Sequence, residues 1–407
     1  MIQHKIYLSS EAYVKDEKYI WFSNITFNGL FRLNLCTKQV EFIDIFRESA
    51  IEKEELHAAA YKEEGELIFV PAKDNKIMVY NIRTQRQTVI NIPEVHNKKG
   101  FLANAYREEN VIYLFPTASS DDVWCFDIKS KNIIKDVKLS KIWHTFAREE
   151  NLDVRIYKNQ TNIIMCCTET KCVCEINMKT KEAECFTIDV PEDGRFSRVA
   201  HIGDSYWILL EDTHDIYQWH RKQNIFTKYI AMEREWDTIN HILPYSNILF
   251  LENEILLVNY YARNVMRVNI EKKVIEKAID YPEQFFASGE MKWGAMFSDA
   301  QINNGREVWL FPRRGNMIIK YDLKTQNVEG MELVIQEQKI PYVENLVEKK
   351  SCYYKLLFET QTVCSLPRYL NQVHKFSINN GNKQNIGAII FANQKIAESL
   401  DDIVKND

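Results

Sequence analysis

Short apolar runs, each closed by a polar turn, recur along this chain at a nearly constant interval. A first run, apolar at consecutive positions, starts at residues 19, 67, 111, 162, 205, 254 and 307, so successive starts lie 43 to 53 residues apart. A second run covers 29–35, 77–82, 123–128, 173–177, 216–220, 265–270 and 318–323. Most second runs end in Asn or Asp, then an apolar residue, then a turn such as Lys179-Thr180-Lys181 or Lys324-Thr325-Gln326-Asn327. An Asn or Asp side chain at that point can accept hydrogen bonds from the turn backbone. A third run, for example Gln39-Val40-Glu41-Phe42-Ile43, makes an outer edge. Upstream of the first run lies one more strand, aligned on Tyr13, Tyr61, Tyr106, Tyr157 and His201. Alternation at period two with aromatic and β-branched residues predicts strands, four to each repeat.

A four-stranded unit of this length cannot bury its own two faces, and repetition around an axis lets each unit cover the next. The pattern therefore predicts an all-β fold: a seven-bladed β-propeller of four-stranded antiparallel blades over residues 1–335. After about residue 335 the period is lost, and residues 336–407 are expected to form a small mixed C-terminal extension packed on the propeller. Within it, 353–358 reads as a strand, Ser365-Leu366-Pro367 as a helix start, and 391–405 as an amphipathic helix with Ile396, Leu400 and Ile403 on one face.

The segment Asp122-Val123-Trp124-Cys125-Phe126-Asp127-Ile128-Lys129-Ser130-Lys131 resembles the third strand and turn of a kelch repeat, and 216–226 is a looser copy. Kelch repeats end the second strand with a pair of glycines, where this chain has Val70-Pro71, Phe115-Pro116 and Phe311-Pro312. The resemblance implies a propeller, and propellers serve as enzymes and as docking modules alike.

Composition narrows the function classes. The net charge of −5 supplies no global positive field for nucleic acid, and no long Lys/Arg run interleaved with aromatics occurs. No apolar stretch is long enough to predict a membrane span, and the first residues lack the apolar centre of a secretory leader. Nine cysteines, an odd number with five crowded into 166–185, do not read as a disulfide framework, so a soluble, cytoplasmic protein is expected. Zinc is not expected, because adjacent strand residues such as Cys166 and Cys167 point to opposite faces. Neither a Gly-rich phosphate loop, nor a Gly-x-Ser-x-Gly elbow, nor a His-Glu-x-x-His pair is present. No catalytic residue and no cofactor is assigned.

Candidate binding residues come from the inner strands, where residues distant in sequence converge. These are His57, Asn104, Arg155, Arg198, His241 and Lys292 with Trp293, a set whose cations suit an anionic or carbonyl-rich ligand. Arg313 and Arg314 add a basic pair in a loop between strands, and Trp143-His144 marks one of the longer insertions. The expected function is non-enzymatic binding or scaffolding, with a protein or peptide partner on one rim. The alternative is an enzyme or receptor for an anionic small molecule or glycan at the channel mouth.

Overall fold

A computed structural model describes residues 3–5, 8–9, 12–23, 29–47, 57–72, 74–93, 102–116, 121–150, 154–159, 162–167, 170–210, 215–231, 245–251, 254–259, 264–283, 285, 297–303, 305–312, 314–315, 317–332 and 334–336. The proposed C-terminal extension beyond residue 336 lies outside the described residues. The chain divides into two compact units, one of Met1–Val70, Met78–Val89 and Asp280–Asp407, the other of Pro71–Ile77 and Ile90–Ile279.

Almost every described element is a strand, and the strands form antiparallel four-stranded meanders. In the first unit, sheet A holds Tyr13–Lys15, Tyr19–Ser23, Leu30–Asn34 and Gln39–Asp44. Sheet B follows with His57–Glu63, Glu66–Pro71, Lys76–Asn81 and Arg86–Asn91, and most but not all of its residues belong to that unit. Sheet G closes that unit with Phe297–Asn303, Glu307–Pro312, Met317–Asp322 and Val328–Glu332.

The second unit begins with sheet C, made of Leu102–Glu108, Val111–Pro116, Trp124–Asp127 and Ile133–Lys135. Sheet D has Val154–Asn159, Asn162–Cys167, Cys172–Asn177 and Glu182–Thr187. Sheet E has Phe196–Ile202, Ser205–Leu210, Ile216–His220 and Ile225–Ala231. Sheet F has Tyr245–Phe250, Ile255–Asn259, Met266–Asn269 and Val274–Lys277, and its outer strand pairs in parallel with that of sheet E, Ile230 opposite Val274.

Burial follows strand position. All six residues of Ser205–Leu210 are buried, because a second strand is covered on both faces, whereas Glu182–Thr187 on an outer edge is mostly exposed. Alternation sends Ile163, Met165 and Cys167 into a core shared with sheet C, while Ile164 and Cys166 enter one shared with sheet E. In the first unit Trp21 and Leu30 of sheet A meet Phe69 and Met78 of sheet B.

The turns use the chemistry that their residues foreshadow. Asn34, Asn81, Asp127, Asn177, Asn269 and Asp322 each accept a backbone N–H of the following turn through the side chain, at 2.7–3.0 Å. Four residues after each of them a left-handed residue (Lys38, Gln85, Lys131, Lys181, Lys273 or Gln326) turns the chain into the outer strand.

Two features lie beyond the repeat. Val334–Gln336 enters sheet A between Gln39–Asp44, to which it is parallel, and Gln3–Lys5, to which it is antiparallel. The helix Val137–Glu150 occupies the insertion after sheet C. Asp136 caps it, its Oδ1 accepting the Leu139 N–H at 2.9 Å. No helix among the described residues is long and apolar enough to cross a membrane.

Gly330 marks a close approach in sheet G. A Cβ there would stand 2.7 Å from the Met317 sulfur and 3.0 Å from Pro282 Cγ. Gly330→Ala is expected to cost about 1–3 kcal/mol through overpacking, read as a lower urea midpoint. An unchanged midpoint would mean that the Met317 side chain swings clear without penalty.

Candidate functional site

The inner strands share a register that brings polar residues to one end. In sheet C the pairing shifts between Leu102 and Asn104, after which Asn104 faces Phe115. In sheet E it shifts between Phe196 and Arg198, and Arg198 faces Leu209. Sheet F repeats the irregularity between Tyr245 and Asn247, with Asn247 opposite Val258, and sheet G between Phe297 and Asp299, with Asp299 opposite Phe311. Sheet D has an unbroken register, with Arg155 opposite Cys166. Every one of these partners is the next-to-last residue of its second strand. Bulges re-aim a strand locally and gather near functional sites.

Within the second unit, the inner strand of sheet D lies beside those of sheets C and E. Asn104, Arg155 and Arg198 therefore stand at one end of three adjacent strands, with Asn247 at the matching register of sheet F. Asn104 and Arg198 are half-buried, as is Arg195 just before the strand of Arg198. Guanidinium forks with amide donors suit a carboxylate or phosphate. Two acidic groups at the same end of sheet E are held by a lysine. Lys228 Nζ bridges Glu192 Oε2 at 2.6 Å and the buried Asp215 Oδ2 at 2.9 Å. The Tyr217 hydroxyl also donates to Glu192, at 2.6 Å. Burial, then that carboxylate, pushes the Tyr217 phenol up to about 12.

The sequence matches no family model and no curated protein. Solved β-propeller structures are similar to it. A structure of streptogramin B lyase matches over 81% of this chain and 97% of its own, with a TM-score of 0.49 and 11% identity. PorZ, a surface component of the type-IX secretion system of Porphyromonas gingivalis, matches over 82% of this chain and 39% of its own, at 0.47 and 11%. Hsv2 of Kluyveromyces lactis matches over 81% and 98%, at 0.44 and 7%. The likeness is to propellers as an architecture and does not single out the kelch group.

The other candidates are placed less alike. His57 is 4% exposed, with its ring 4.4 Å from Phe46 and 5.3 Å from Phe69, so it is part of the core of the first unit. Arg314, expected in a loop, lies in a short strand whose backbone pairs with Ser9. His241, Lys292, Trp293 and Arg313 lie outside the described residues. Trp143 and His144 sit on the helix rather than in a loop, Trp143 buried and His144 Nε2 3.1 Å from the Asp121 carbonyl. Cys166 and Cys167 enter different cores, and no group of three or more His, Cys, Asp or Glu among the described residues is placed to hold a metal.

A second polar cluster occupies the opposite end of sheets D and E. Glu175 Oε1 accepts from Asn162 Nδ2 at 2.6 Å and lies 2.9 Å from His201 Nδ1, while the Tyr206 hydroxyl donates to Oε2 at 2.6 Å. The His201 and Tyr206 rings stack with centroids 4.2 Å apart. Burial alone would raise the Glu175 carboxyl, but these three hydrogen bonds and the His201 charge outweigh it and bring it to about 2. Sequence reasoning missed this cluster. Its signal was a charged residue interrupting the apolar third-strand run Cys172-Val173-Cys174-Glu175-Ile176.

Proposed function

We propose that the chain is a seven-bladed β-propeller acting as a binding module, which takes an acidic segment of a protein or peptide partner at one rim. The observation that carries the reading is the common register of Asn104, Arg155 and Arg198 on adjacent inner strands. The four-stranded meanders and the strand Val334–Gln336 inserted into sheet A support the propeller and its blade count. Two planar cations and an amide in one register discriminate a carboxylate from a neutral side chain by charge and by fork geometry. The cysteines, crowded and odd in number, support a reducing, cytoplasmic setting.

Binding of glutamate-rich and glutamine-rich peptides, followed by fluorescence anisotropy, tests this. The acidic peptide is expected to bind and to weaken as salt rises. Each of Arg155→Ala and Arg198→Ala should weaken it roughly ten-fold or more, the effect of losing a charged hydrogen bond. Equal binding of both peptides, or an affinity untouched by either variant, rejects the reading. Thermal stabilisation by sugar phosphates, lost in the same variants while peptides fail to bind, would instead make the site a receptor for an anionic small molecule.

A further inference from the structure

We propose that Cys174 and Cys185 form a reversible thiol modification site, closed to a disulfide by exchange with a low-molecular-weight disulfide. The two residues are directly opposite in the register of the third and outer strands of sheet D. Directly opposite residues have Cα atoms about 4.5–5.5 Å apart, inside the range of roughly 4.4–6.8 Å that disulfides span. Their side chains share one face of the sheet, and the Cys185 thiol donates to the Cys174 sulfur across 2.6 Å. Cys172, two residues from Cys174 on the same face, is opposite Thr187, so Cys185 has Cys174 and not Cys172 as its direct cross-strand neighbour.

Exposure separates the roles. Cys185 is exposed on the outer strand, open to a reagent in solution, while Cys174 is fully buried beside Met165 and Ile176. The hydrogen bond from Cys185 and burial both hold the Cys174 thiol well above the usual range, so the first attack belongs to Cys185. The Cys185 thiolate attacks one sulfur of the small disulfide, expelling one thiolate and forming a mixed disulfide. Cys174 then attacks the Cys185 sulfur, its proton passing to the second departing thiolate as the S–S bond closes. Two protein thiols are oxidised by two electrons, and one small disulfide is reduced to two thiols. The product ties the exposed outer strand of sheet D to the buried strand next to it. This inference rests on the pair alone and not on the binding site above.

Incubating the full chain in graded mixtures of reduced and oxidised glutathione, with acid trapping and alkylation after unfolding, tests the site. Mass spectrometry should show the protein lighter by two hydrogens, both cysteines protected together, and a proteolytic fragment linking Cys174 to Cys185. Cys36, exposed on sheet A, serves as the reference thiol and should remain outside any linked fragment. Cys174→Ser should stop the reaction at a stable mixed disulfide on Cys185. Cys185→Ser, a change at an exposed position, should keep the melting temperature and lose the linked fragment. Wild-type protein that accumulates only the mixed disulfide, or that links Cys185 to Cys172, overturns the proposal.

Discussion

Trp143→Ala is expected to lower the unfolding free energy by about 3–5 kcal/mol, the usual cost of emptying a large aromatic site. Trp143 is 2% exposed, and its ring meets Phe115 of sheet C edge-on at 6.5 Å. Leu139, Phe146 and Ala147 join it in a core with Ile163, Met165 and Cys167 of sheet D. A helix of 14 residues is marginal alone, so its order comes from this apolar face. Losing the indole removes contacts from the helix and from both sheets at once. Thr145→Ala is the control, since Thr145 is exposed on the same helix and its hydroxyl bonds the Lys141 carbonyl at 2.9 Å. Urea unfolding followed by tryptophan-independent circular dichroism should separate the two variants clearly. A Trp143→Ala midpoint equal to that of Thr145→Ala would mean that the helix is not anchored through this ring.

That helix also marks where sequence reading falls short of the fold. The strands were legible because each repeat restates the same alternation: the run 216–220 and the strand Ile216–His220 coincide, and 67–70 lies within Glu66–Pro71. The insertion carried its own signals, with Asp136 as cap and Leu139, Trp143, Phe146 and Ala147 at helical spacing. A reading tuned to period two passes over period 3.6. The insertion of Val334–Gln336 between two distant strands was invisible for another reason. Local pattern shows that a segment is a strand, not which strand it pairs with.

The inner-strand site was legible in part. Asn104, Arg155 and Arg198 were found because a neighbouring residue in the alignment marks each strand. Asn247, and Asp299 at the matching register of sheet G in the other unit, are not among the candidates, which in those repeats are His241 and Lys292 further upstream. The triplets Phe196-Ser197-Arg198, Tyr245-Ser246-Asn247 and Phe297-Ser298-Asp299 are the signal that recovers them. An aromatic, a serine and a polar residue in that order accompany the register shift in each case.

Glu175→Ala should cost about 3 kcal/mol at pH 5–6, the low end for breaking a buried ion pair, because His201 keeps 27% of its side chain exposed. The loss has two parts with opposite pH limits. The Glu175 carboxyl is held near 2, below its ordinary 4.5, so its contribution is fully present above pH 4.5 and is lost as pH falls toward 2. His201 is raised above 6.5, chiefly by its hydrogen bond to Glu175, so its contribution is full below pH 6.5 and is lost as pH rises through its folded value. The pair therefore stabilises most between pH 4.5 and 6.5. Two neighbouring charges also bear on the cluster: Asp204 favours the charged His201, and Arg221, paired with Glu184, lies within reach of the Tyr206 hydroxyl. Above that window the Tyr206 and Asn162 hydrogen bonds to the carboxylate persist, so the difference between wild type and Glu175→Ala should shrink without vanishing. His201→Ala should remove the alkaline limb of the wild-type stability profile and leave the acid limb, since Tyr206 and Asn162 still favour the charged carboxylate. Urea midpoints from pH 2 to 9 for the three proteins decide the matter. A Glu175→Ala difference that is constant across that range would show that the cluster contributes by packing and not by charge.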